Sequence, residues 1–214
     1  MTPNVVSWIK MQMKIIPLPL DYKRQTLAET YPGCGQKVYS ETSDKDPPEY
    51  PWMVLVCTQY QQDTADSSGK KIKCGQICGG TLISSKHIVT ATSCLAQADI
   101  NNTVVFLEVT SVQNALMSLD YLFLSEIHPY PGPTQGDTVA VIQLEKNVNF
   151  GSNVNQICLT EPLTWNQDED KALITGWQEF NQIDGDTTGA SAVTVMMKSE
   201  EYCSVQFENV FIKK

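Results

Sequence analysis

Arginine is almost absent from this chain: its 214 residues hold only Arg24, with two histidines, His87 and His128. Proteins that neutralise nucleic-acid phosphates need clustered cations, whereas 15 Lys plus Arg face 24 Asp plus Glu here, for a net charge of −9. Nucleic acid is therefore excluded as a partner. The few cations gather at the front, with five basic and two acidic groups in residues 1–37 against ten basic and 22 acidic in residues 38–214. No stretch approaches the roughly 18 apolar residues of a spanning helix, so no membrane span is expected. An uninterrupted apolar signal segment is also missing, because Lys10 and Lys14 break Met1–Leu20. Histidine is too scarce, and a second close cysteine pair too plainly lacking, for Cys74 and Cys78 to complete a four-ligand zinc site. No metal or other cofactor is expected.

What the chain does have is cysteine: Cys34, Cys57, Cys74, Cys78, Cys94, Cys158 and Cys203. Seven in an ordinary-sized chain are dense for a reducing cytosol and point to an extracellular, secreted protein held by disulfides. Short apolar or alternating runs recur between polar breaks at Trp52–Tyr60, Thr81–Ala91, Val104–Thr110, Tyr121–Ile127, Val139–Leu144, Ala172–Trp177 and Ala192–Met197. The breaks, among them 61–69, 129–136 and 181–189, carry Gly, Pro, Asn and Asp. No 3.6-residue stripe lasts long enough to predict a long helix, so the expected class is all-β, a sandwich or barrel. Residues 1–37 are expected to form a poorly ordered leader or pro-segment, and 38–214 the folded domain.

Several of these segments resemble landmarks of the trypsin/chymotrypsin-like serine protease family. They are Pro51-Trp52-Met53-Val54, Cys78-Gly79-Gly80-Thr81, Thr90-Ala91-Thr92-Ser93-Cys94, Ile127-His128-Pro129-Tyr130, the strand Val139–Leu144, Ile157-Cys158-Leu159 and Thr175-Gly176-Trp177. The resemblance covers about residues 34–205, and it implies a double Greek-key β-barrel, with the second barrel incomplete at the C-terminus. It also implies the pairing of Cys78 with Cys94 around the base-bearing loop, and of Cys34 with Cys158 between pro-segment and domain. Cys57 and Cys74 have no standard family partners, but they flank the 61–69 loop and are expected to pair. Cys203 is expected to be unpaired within the chain, because the family pairs the cysteine at that place with one a little farther along, which this sequence does not contain.

The same resemblance exposes a degenerate catalytic set. A serine protease needs a nucleophile, a base and an orienting carboxylate. Where the family writes Thr-Ala-Ala-His-Cys, this chain has Ser93 in the base position. The Asp position, two residues before Ala140, holds Thr138, while Asp137 is one residue early and a one-residue slip would turn its side chain to the other face. The Gly-Asp-Ser-Gly-Gly nucleophile motif does not occur, and Gly185-Asp186-Thr187-Thr188-Gly189 reads as an ordinary loop. His87 and His128 are expected to be packing, surface or structural residues.

The activation start, Ile-Val-Gly-Gly in the family, is matched only by Val38-Tyr39-Ser40-Glu41 after Lys37. Cleavage behind Lys37 is expected to leave the zymogen switch inoperative. Asn101-Asn102-Thr103 is the one N-glycosylation sequon, with Asn101 as acceptor. The expectation is a non-enzyme: a pseudoprotease that binds a protein, an active extracellular protease or its substrate, as cofactor or regulator. Self-association through an unfinished barrel edge is a further expectation. The alternative is an incomplete fragment of a serine endopeptidase whose full-length form hydrolyses peptide bonds.

Overall fold

A computed structural model describes residues 9, 33–36, 50–63, 71–131, 139–159, 171–177, 190–198 and 202. Ten strands are present among them: β1 (Met53–Thr58), β2 (Gln61–Asp63), β3 (Lys71–Lys73), β4 (Gln76–Leu82), β5 (His87–Ala91), β6 (Thr103–Phe106), β7 (Leu122–Pro129), β8 (Val139–Leu144), β9 (Lys171–Trp177) and β10 (Ala190–Met196). A 3₁₀ helix, Thr92–Leu95, follows β5, and an α-helix, α1 (Val112–Ser118), precedes β7.

Six of the strands close into an antiparallel barrel in the order β1-β4-β5-β8-β7-β6. The strand sequence explains the closure. Every residue of β1 is buried, because alternate side chains serve two layers. Val54 and Val56 point into a core shared with Leu82, Ile88, Val105, Leu124, Ile142 and Leu144, whereas Leu55 and Cys57 join Ile72, Val104, Phe106 and Ala115 in a second layer outside the barrel. A near-continuous apolar run is what two-sided burial demands.

Close packing also fixes one glycine. A Cβ at Gly80 would meet Ile88 Cγ2 at 2.8 Å and Val56 Cγ2 at 3.2 Å, so only a residue without a side chain lets β4 approach this core.

Two expectations need correction. The apolar run Thr81–Ala91 is not one strand: β4 ends at Leu82 and β5 begins at His87. Between them the Ser84 hydroxyl accepts hydrogen bonds from the backbone N–H groups of Lys86 and His87, so a side-chain-capped turn interrupts the run. The polar break at 61–69 likewise begins with strand, since Gln61–Asp63 pairs with Lys71–Lys73 in a two-stranded ribbon. Helix α1 is not evident in the sequence for a different reason. Its seven residues are too few to display a 3.6 period, although Ser111 caps it by accepting from Asn114 N at 3.2 Å.

Beyond the barrel, β9 and β10 form a separate antiparallel pair, Lys171–Trp177 against Ala190–Met196 in continuous register. It is tied to the barrel layer by Trp177 Nε1, which donates to Val109 O at 3.0 Å, and by Ala190 N, which donates to Thr110 O at 3.1 Å.

Candidate functional site

Ser93, which the family resemblance puts in the base position, lies just past the end of β5. Register places Ala91 opposite Val139 of β8, and Ser93 lies two residues beyond Ala91, past this end of the strand pair. Thr138, with Asp137, lies outside the described residues. Ser93 sits in the 3₁₀ helix and is exposed, while Cys94 beside it is buried and bonded to Cys78 of β4. That bridge pins the helix to the barrel wall, so the position is held firmly but carries a hydroxyl. An alcohol has no neutral-pH lone pair basic enough to accept a proton from another alcohol. Thr92, on its other side, has a buried hydroxyl with no hydrogen-bond partner among the described residues.

Neither imidazole reaches this place. His87 opens β5, four residues or about 13 Å of strand before Ala91, and its Nδ1 is 2.8 Å from Ser84 Oγ in the β4–β5 turn. His128 stands on β7, with β8 between it and β5, where its Nε2 lies 3.1 Å from Glu126 Oε2. A partly exposed pair of this kind contributes little to stability.

The six disulfide-bonded cysteines and the sequon are placed as follows. Cys34 is joined to Cys158, Cys57 to Cys74 and Cys78 to Cys94. The Cys34 turn is further secured by Asn155, whose buried side chain donates to Gly33 O at 2.8 Å and Gln36 O at 2.9 Å. Gly35 N donates to Gln156 O at 2.7 Å. At Gly35 the backbone is left-handed with φ 65°, and a Cβ would lie 3.4 Å from Cys158 Sγ, a combination that favours glycine. The turn therefore ends immediately before Lys37, which with Val38 lies outside the described residues, as do Cys203 and Gly185–Gly189. Asn101 is exposed in the turn that leads from the 3₁₀ helix to β6.

Sequence reasoning missed the groove between the barrel and the β9–β10 pair. It has a volume of about 620 Å³ and is lined by Met53, Leu55, Gly79 and Thr90 on one side and by Thr175 and Trp177 on the other. Only the folding of β9–β10 against the outer barrel layer brings these distant residues together, so no local signal announces it. Among the described residues no group of three or more His, Cys, Asp or Glu is arranged to hold a metal ion, and no helix is long and apolar enough to cross a membrane.

Known proteins agree with this geometry. The chain is 30% identical over 151 residues to phenoloxidase-activating factor 3 of Holotrichia diomphalia, covering 63% of this chain and 40% of that protein. It is 25% identical over 134 residues to the inactive serine protease scarface of Drosophila melanogaster, covering 60% of this chain and 18% of that one. It thus spans less than half of either relative. The crystal structure of scabies mite inactivated protease paralogue S-D1 superposes with a TM-score of 0.55 at 17% identity, over 75% of this chain and 64% of that one, a likeness of fold. The family described as Trypsin matches residues 40–212, most of the chain, and this protein belongs to the trypsin family.

Proposed function

We propose that the protein is a non-catalytic member of its family, an extracellular pseudoprotease that acts by binding a protein, as cofactor or regulator of an active protease. One observation carries the reading: Ser93, read here as the residue in the base position, is exposed beside the Cys78–Cys94 bridge and offers only a hydroxyl. Loss of the base alone costs on the order of 10⁶ in turnover in a serine-protease triad, and Thr138 in the carboxylate slot offers no compensation. Support comes also from the similarity to a relative named inactive and to another named an activating factor. The three disulfides suit an oxidising compartment.

The domain proper is residues 38–214, with 1–37 as a leader that stays attached through Cys34 after any cut behind Lys37. Its partner is a protein with a basic surface, because residues 38–214 carry 22 acidic against ten basic groups.

The test is labelling with a fluorophosphonate and assay of amide and ester hydrolysis, before and after proteolysis behind Lys37. The expected result is no labelled serine and no turnover in either state. Stoichiometric labelling of any serine overturns the reading.

A further inference from the structure

We propose that Asn101 is an N-glycosylation site that accepts its oligosaccharide only before the first barrel closes. The proposal rests on the extracellular reading for its biological setting, and on the geometry of one turn for its substance.

Asn101 is exposed, like Asp99 and Ile100, in the turn Asp99–Asn102, where Asn102 N donates to Asp99 O at 3.0 Å. The side chain that holds this turn is that of Asn102, whose Oδ1 accepts from Asp99 N at 2.8 Å. Asn101 contributes less: its backbone N–H and its Nδ2 both donate to Asp99 Oδ1 at 3.0 Å. In the transfer, Nδ2 bonds to C1 of the first sugar and displaces the pyrophosphate of a lipid-linked oligosaccharide donor, and one N–H proton is released. The secondary amide formed keeps one N–H, enough to maintain its bond to Asp99. The folded turn therefore accommodates the modified residue.

The third sequon residue behaves in the opposite way. Thr103 is the first residue of β6, is fully buried, and pairs in register with Thr58 of β1, itself buried. Its hydroxyl, in a residue with no exposed surface, donates to Asn102 Oδ1 at 3.3 Å. A transferase that must engage the threonine hydroxyl and the asparagine amide together needs this tripeptide extended and accessible. Once β1 and β6 have paired, the acceptor nitrogen is exposed and the hydroxyl is not. Modification and barrel closure thus compete for one segment, which begins seven residues after Cys94. The oligosaccharide then stands on the connection that leaves the helix bearing Ser93. That connection is linked to the β1–β2 corner by Tyr60 N, which donates to Asn102 O at 2.9 Å, and by Gln59 Nε2, which donates to Gln97 Oε1 at 2.7 Å.

The experiment offers the unglycosylated full chain, native or reduced and alkylated, to an isolated oligosaccharyltransferase with a lipid-pyrophosphate donor. Acceptor peptides are then mapped by mass spectrometry. The expected result is modification at Asn101 of the unfolded chain and loss of that modification in the native one. Asn101→Gln and Thr103→Val should each abolish it in the unfolded chain, where neither substitution can act through the fold. An unfolded chain left unmodified overturns the site, and so does a Thr103→Val chain that is still modified. Equal modification of native and unfolded chains overturns the order of events. Because no cell chooses the compartment in this assay, its failure is separate from failure of the extracellular reading, which instead fails if the chain is retained in the cytosol of its native cells.

Discussion

β8 and the β9–β10 pair are built from similar material and end in opposite surroundings. Val141, Ile142 and Leu144 of β8 are completely buried, whereas Leu173, Ile174, Val193 and Met196 of the β9–β10 pair are 52%, 61%, 49% and 51% exposed. Both segments alternate or run apolar, and both pair antiparallel. The difference is company. β8 has β5 on one side and β7 on the other inside a closed barrel, while β9 and β10 have only each other as strand partners among the described residues. Strand formation is a local decision made by β-branched and apolar residues, but burial needs a second layer, and an isolated pair of strands is marginal in water.

The sharpest way to press this comparison is to truncate one apolar side chain in each region. Phe106→Ala, removing a ring that is 1% exposed, should lower unfolding free energy by about 3–5 kcal/mol. Leu173→Ala should change it by less than about 1 kcal/mol. Urea titration of both variants checks the pair, and a larger effect at Leu173 would show that the hairpin is covered in solution.

Next in size is the Cys78–Cys94 bridge, with a sequence separation of 16. Replacing both cysteines by serine should cost about 3 kcal/mol in the chain-entropy account of loop closure. The same substitution should leave hydrogen exchange in β9 and β10 almost unchanged, if the two regions open independently.

Glycine gives a third contrast. Gly80→Ala forces a methyl against Ile88 and Val56 and should destabilise by about 1–3 kcal/mol. Gly176→Ala in β9 meets nothing within 4 Å and should stay within about 0.5 kcal/mol of the parent. Thermal unfolding distinguishes them directly.

A smaller effect is expected at the joint between the regions. Trp177→Phe removes the bond to Val109 O, worth about 1 kcal/mol, and should raise exchange in β9 more than in β8. The smallest effect has the opposite sign. Thr92→Val deletes a buried hydroxyl without a partner among the described residues and should be neutral or stabilising by up to about 1 kcal/mol. It should do so without generating hydrolytic activity.

What the sequence determined by itself was whatever depends on residue type and short spacing. The all-β class followed from apolar runs between turn residues, and β8 was legible to the residue because Val139–Leu144 is bounded by clear breaks. The proposal that Ser93 stands in the base position also rests on the sequence, on the short spacing Thr90-Ala91-Thr92-Ser93-Cys94. Segment boundaries set by side-chain capping were not: Ser84 splits Thr81–Ala91 through two hydrogen bonds that no hydrophobic period reveals. The tertiary structure alone decided that β1 is buried on both faces, that Gly80 leaves no room for a methyl, and that Thr103 of an apparently open sequon is enclosed. It also decided that Leu173, Ile174, Val193 and Met196 of β9 and β10 stand in solvent. Each of these depends on which distant strand lies across the way, and that is fixed by closing the barrel rather than by any neighbour in the chain.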